Sequence, residues 1–172
     1  MEVFNTEVDK NLRSLLDCGV NGKSFWRMTI DNLTQIGKRE VLCLECAASY
    51  HGLSTFSGYD SLKILVGINS KEYQYKRILK GNISFYGIDK IDYSHCIPIS
   101  ETVYVTDIPL TICQMIQFDC HEFHMFEAID DLYTFHGDLV KETEELAKSF
   151  GILDKLLKYR ELAEQAYEED NE

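Results

Sequence analysis

Two stretches of the 172-residue chain hold side chains that zinc prefers, Cys43-Leu44-Glu45-Cys46 and Cys120-His121-Glu122-Phe123-His124. Thiolate and imidazole are the usual donors of a tetrahedral site, and Cys43, Cys46, Cys120 and His124 would make one such set. Helical periodicity, however, places Cys43 and Cys46 inside a helix rather than on a knuckle turn. They read as ordinary thiols, and no metal or other cofactor is expected. A redox Cys-x-x-Cys would need a helix N-terminus after a strand, which the periodicity does not predict. The second stretch falls one residue short of His-Glu-x-x-His, because Met125 stands at the second histidine position. Gly22-Lys23-Ser24 resembles the end of a phosphate loop, but Asp17 occupies the place of its first glycine. No Gly-x-Ser-x-Gly elbow occurs. Acid pairs such as Asp130-Asp131 and Glu144-Glu145 are adjacent, so on a helix they point about 100° apart, which suits a wet surface. These readings predict a protein that is not an enzyme, with a small metal-dependent nuclease of scattered acids as the alternative.

Charge is the stronger signal. The chain carries 17 Lys+Arg and 29 Asp+Glu, net −12. Residues 1–118 hold 12 basic and 13 acidic side chains; residues 119–172 hold 5 and 16, net −11. Such a chain is not a generic nucleic-acid binder, and no direct contact with duplex DNA is expected. The acidic third reads either as a solvated helical surface or as a face that docks on a basic partner. The residues assigned to that face are Glu127, Asp130, Asp131, Glu142, Glu144 and Glu145. The one basic cluster, Lys71, Lys76, Arg77 and Lys80, is flanked by tyrosines and could make a weak RNA contact. No apolar run approaches the ~20 residues of a membrane span, so no membrane role is expected. The opening residues lack the basic and apolar regions of an export signal. That predicts a cytoplasmic protein whose six cysteines stay reduced.

The elements that must carry these residues follow from periodicity. Phe4, Val8, Leu12, Leu15 and Leu16 mark a first helix, and Trp26, Ile30 and Leu33 a second. A third is predicted from about Lys38 to His51, ending at Gly52. Strands are predicted at 62–68, 83–88 and 102–106, with a shorter extended piece near 97–99. Asp107 with Pro109 starts a helix over 108–118. Helices follow over 122–135, from Asp138 as cap to Gly151, and from Ile152 to about Tyr167. In the last two, Leu139, Val140, Leu146, Ala147 and Phe150, then Leu153, Leu156, Leu157 and Leu162, are predicted inward. The pattern predicts an α+β fold, with N-terminal helices, a small, mainly antiparallel sheet of three to four strands, and a C-terminal helical layer. A single domain is expected over 1–172, with a helical pair at 1–37 and an acidic tail at 168–172.

Glu45-Cys46-Ala47-Ala48-Ser49-Tyr50-His51-Gly52-Leu53 is an acid, then small residues, then His-Gly-Leu, followed by a strand. Val105-Thr106 and Thr111 lie where a strand leads into a helix. Together these resemble the AbiEi family, antitoxins of type IV abortive-infection systems, over roughly residues 38–165. Two positions depart from the family pattern, with Leu110 in place of an arginine and Gln114 in place of an aspartate. Residues 1–37 are too short for the family's DNA-binding winged helix. The resemblance implies the partner-binding domain alone, an antitoxin-like inhibitor of phage–host conflict whose partner is a nucleotidyltransferase toxin. An inhibitor of a Cas9-type CRISPR effector or its guide RNA is the alternative, because the acidic region fits a basic nucleic-acid channel. The motif residues have structural readings: His51 at a helix C-terminus, Gly52 left-handed, Leu53 packing back, and Thr111 tying the strand to the helix.

Overall fold

Five strands form one sheet in the order β3-β2-β1-β5-β4. The computed structural model describes residues 40–56, 62–67 and 83–169. The helix pair expected at 1–37, the basic cluster at 71–80 and residues 170–172 lie outside them. In chain order the elements are β1 (Glu40–Leu42), α1 (Leu44–His51), β2 (Leu62–Gly67), β3 (Ile83–Ile88) and a 3-10 turn (Tyr93–His95). Then come β4 (Cys96–Pro98), β5 (Val103–Thr106), α2 (Ile108–Gln117), α3 (Glu122–Phe135), α4 (Val140–Ser149) and α5 (Leu153–Glu169). The fold is α+β. No described helix is long and apolar enough to cross a membrane.

The chain divides into two compact units. The described residues of the first are 40–42, 62–67 and 83–105, the sheet. Those of the second are 43–56 and 106–169, the helices. In the sheet, β1 pairs antiparallel with β2 and parallel with β5, while β2 pairs parallel with β3. The expectation of a mainly antiparallel sheet of three to four strands is therefore corrected to five strands in a mixed sheet. The strand missing from that expectation is β1, which the periodicity assigned to the start of a helix. Three residues, Glu-Val-Leu, carry no usable period. Pairing on both sides decides their conformation, and all three are buried. The long connection from Gly67 to Ile83 allows the parallel β2–β3 pairing, which a hairpin could not make. Strand β2 is an apolar run, Leu-Lys-Ile-Leu-Val-Gly, with Leu62, Ile64, Leu65 and Val66 all buried, as a strand covered on both faces requires.

Cys43, extended at φ −142° and ψ 176°, caps α1 without a side-chain hydrogen bond. Leu44 then takes φ +53°, a left-handed value that costs a non-glycine residue roughly 1–2 kcal/mol. Leu44 is fully buried, and that burial holds the turn in place. At the other end Gly52, at φ +80°, is a left-handed cap. Its N–H bonds back to Ser49 O and the Leu53 N–H to Ala48 O at 2.8 Å, closing the helix as a six-to-one, five-to-two end does. Leu53 is 1% exposed.

In the second unit α2 touches every other helix, α1, α3, α4 and α5. Residues Pro109 to Ile116 are all buried, so α2 is a central helix rather than an amphipathic one. The peripheral helices depart from prediction where their faces meet it. The α4 cap is Leu139, without a side-chain bond, and not Asp138. The inward residues of α4 are Thr143 and Ala147, and Phe150 is exposed. In α5 Leu156 and Ala163 are buried, while Leu162 is exposed. Ala147 and Leu156 are inward as expected; counting apolar residues missed Thr143 and Ala163, because small side chains let two helix backbones approach. Thr143 hides its hydroxyl by donating to Leu139 O at 2.8 Å. The Cys113 thiol, donating to Thr143 O, is pushed up to about 12 by burial and by nearby Asp107. It is a structural, unreactive thiol.

A Cβ at Gly52 would meet nothing within 4 Å, so a substitution there is opposed by backbone strain alone. Gly52→Val should lower unfolding free energy by roughly 1–2 kcal/mol in a urea titration. An unchanged midpoint would show that the left-handed cap is dispensable.

Candidate functional site

The junction between β5 and α2 gathers most of the motif residues. Asp107 ends the strand and accepts from Leu110 N at 2.9 Å, an N-cap that with Pro109 starts α2. Behind it the Thr111 hydroxyl donates to Thr106 O at 3.1 Å and lies 2.7 Å from the Thr106 hydroxyl. From the end of α1, His51 Nε2 donates to the same Thr106 carbonyl at 2.7 Å. A carbonyl only accepts, so the neutral ring carries its proton on Nε2. Burial pushes the His51 pKa down, against the Thr106 carbonyl and the Asp107 charge, which favour the proton. His51 and Thr111 thus meet at one carbonyl, with Gly52 and Leu53 closing the helix that delivers the ring. Both thus hold the junction together.

A second polar group joins the segment after α1 to α3. Glu127 accepts from the Ser54 hydroxyl at 3.0 Å, from Thr55 N at 3.0 Å and from the Thr55 hydroxyl at 2.7 Å. His124 Nδ1 lies 3.0 Å from Ser54 Oγ and 3.3 Å from Glu127 Oε2. Burial alone would raise the Glu127 pKa. The bonds from Thr55 and Ser54, with His124, outweigh it and hold the carboxyl below its ordinary range. Serine, histidine and glutamate suggest a hydrolase triad, but a proton relay needs nucleophile and acid on opposite ring nitrogens. Here both face Nδ1. The group is an anchor for residues 54–56. Sequence reading missed it because its partners are some seventy residues apart and belong to no motif.

Of the six acids assigned to a docking face, Glu127 is therefore engaged inside its own unit. Glu144 accepts from the Tyr133 hydroxyl at 2.9 Å and is half-buried. Asp130 and Asp131 are half-buried; burial, then Asp130, raises the Asp131 pKa despite His136. Glu142 and Glu145 are exposed, Glu145 lying 3.9 Å from Lys141 in a loose surface pair. Further exposed acids are Glu122, Asp138, Asp154, Glu161 and Glu164. Beside α3 and α5, Arg160 stacks 4.6 Å over the Tyr133 ring, and its Nε donates to Glu164 at 2.9 Å.

Cys43 and Cys46 are fully buried, Cys120 nearly so. No three of Cys43, Cys46, Cys120 and His124 bring ligand atoms within 4.8 Å of one another. The Cys-x-x-Cys does sit where a strand enters a helix N-terminus, contrary to the sequence-based expectation. With both thiols at 0% exposure, no redox partner reaches them. No protein-family model matches the chain, and no curated protein matches it at a significant level.

A histidine whose folded pKa lies below its unfolded value binds protons more readily when unfolded. Its contribution is present above about pH 6.5 and is lost as the pH falls through that value. The protein should therefore be less stable to urea at about pH 5.5 than at about pH 7.5, and His51→Gln should reduce the difference. A variant with an unchanged pH dependence would remove His51 as the cause.

Proposed function

We propose that the chain is a non-catalytic binding protein of phage–host conflict. In this reading it is an antitoxin-like inhibitor whose acidic helices neutralise a basic, nucleic-acid-handling partner, a nucleotidyltransferase toxin. The observation that carries the reading is the charge asymmetry. Residues 119–172 hold net −11 while the preceding 118 residues are near neutral. Exposed carboxylates on α3, α4 and α5, with Glu142 and Glu145 among them, supply a field that reaches a cationic surface before contact. The resemblance to AbiEi antitoxins supplies the partner. The two departures, Leu110 and Gln114, are buried, so they alter the interior of the helical unit rather than its charged exterior. Asp130, Asp131 and Glu144 are the inner margin of the docking surface, and Glu127 anchors α3 behind it.

The test is association with a neighbouring-gene nucleotidyltransferase, measured from about 50 mM to about 500 mM salt, where the screening length shrinks severalfold. Wild-type affinity should fall with salt. The triple reversal Glu142→Lys, Glu145→Lys and Glu161→Lys should weaken binding about tenfold or more at low salt and flatten the dependence. Equal binding by the variant would remove the acidic-surface reading. Binding only to a Cas9-type effector would reassign the partner, and RNA cleavage with Mg²⁺ would overturn the non-catalytic reading.

A further inference from the structure

We infer that the N-terminal turn of α3 is an exchangeable binding site for a zinc-like divalent ion, with His124 as its first ligand and His121 as its second. Its neighbours fix the tautomer of His124. The carboxylate of Glu127 can only accept, so the single Ser54 proton goes to Glu127 Oε2 at 3.0 Å. Two contacts then remain at His124 Nδ1, Ser54 Oγ at 3.0 Å and Glu127 Oε2 at 3.3 Å. Both are satisfied only if Nδ1 carries the proton, since a bare Nδ1 would set a lone pair against a carboxylate. A neutral His124 therefore presents a bare lone pair on Nε2. That atom has no hydrogen-bond partner among the described residues and is not among the fully buried unpartnered atoms, and the His124 side chain keeps 20% of its surface exposed.

A carboxylate on Nδ1–H with Nε2 left free is the second shell of a ligating histidine. It orients the ring, fixes the tautomer and raises the basicity of the ligand nitrogen. The ring is further held by edge contacts from Phe56 at 5.3 Å and Phe123 at 5.5 Å. Three residues before it, the exposed His121 places its ring centre 5.8 Å from that of His124. With Zn–N bonds of about 2.0–2.1 Å, two imidazoles on one ion have centres roughly 5–6 Å apart. At present His121 Nδ1 accepts from Phe123 N at 3.3 Å, a long cap bond. It joins the ion by moving its proton from Nε2 to Nδ1 and giving up that bond; water completes the coordination. Imidazole donors with open positions suit Zn²⁺ and neighbouring transition ions rather than Mg²⁺ or Ca²⁺. The site is independent of the proposed docking reading.

The experiment is calorimetric titration of Zn²⁺ alone into the metal-free full chain, with nitrogen-15 NMR of the histidine rings. Wild type should bind one ion, with the His124 Nε2 resonance shifting and its Nδ1 remaining protonated. His124→Ala should abolish binding. His121→Ala should weaken it about tenfold or more, and Glu127→Gln about 10–100-fold through the ring it orients. Binding that survives His124→Ala, or is lost in Cys120→Ser instead, would overturn the assignment. The ring NMR on wild type decides the matter even where a variant fails to fold, because an unmoved His124 Nε2 at saturating Zn²⁺ also overturns it.

Discussion

The backbone carbonyl of Thr106 is the point on which the helical unit turns. It accepts one hydrogen bond from the His51 ring, delivered by α1, and one from the Thr111 hydroxyl, delivered by the first turn of α2. Thr106 and Thr111 are fully buried, so an unmade bond here would carry the full cost of desolvation. Two elements separated by more than fifty residues are thus registered on one oxygen. Every other helix then packs on α2, whose burial from Pro109 to Ile116 leaves no face for solvent.

The same interior contains polar atoms without such compensation. Among the described residues, neither Oε2 of Glu45, 6% exposed, nor Oε1 of Gln114, 2% exposed, has a hydrogen-bond partner. Glu45 lies in the first turn of α1, where the helix dipole favours a negative group. Gln114 lies on α2, which packs against α1. The helical unit therefore accepts some unsatisfied polarity in exchange for a central helix that contacts all its neighbours.

Electrostatics separates this interior from the exterior. The half-buried acids are tied: Glu127 to Ser54 and Thr55, Glu144 to Tyr133, Asp107 to the start of α2. Over residues 119–172 as a whole, carboxylates outnumber Lys and Arg by roughly three to one, and the surface ion pairs formed there are weak. Net repulsion of that size keeps a surface wet and costs some stability. A cationic partner of the kind proposed would relieve it.

Much of this architecture was legible in the residues alone. The strands at 62–67 and 83–88, helix 122–135, the Asp107 cap and the left-handed Gly52 all follow from local rules, because periodicity, capping and glycine conformation depend on neighbours in the chain. So does the lopsided charge, which is a property of composition. What the sequence could not determine depends on partners distant along the chain. Strand β1 exists because β2 and β5 flank it, and three residues have no period of their own. The inward faces of α4 and α5 include Thr143 and Ala163 rather than Phe150 and Leu162, because close helix approach selects small side chains. The meeting of Ser54, His124 and Glu127, and the union of His51 with Thr111 at one carbonyl, were decided by tertiary structure. Each brings together residues whose spacing in the chain carries no signal, and only the packing of helices sets the distances between them.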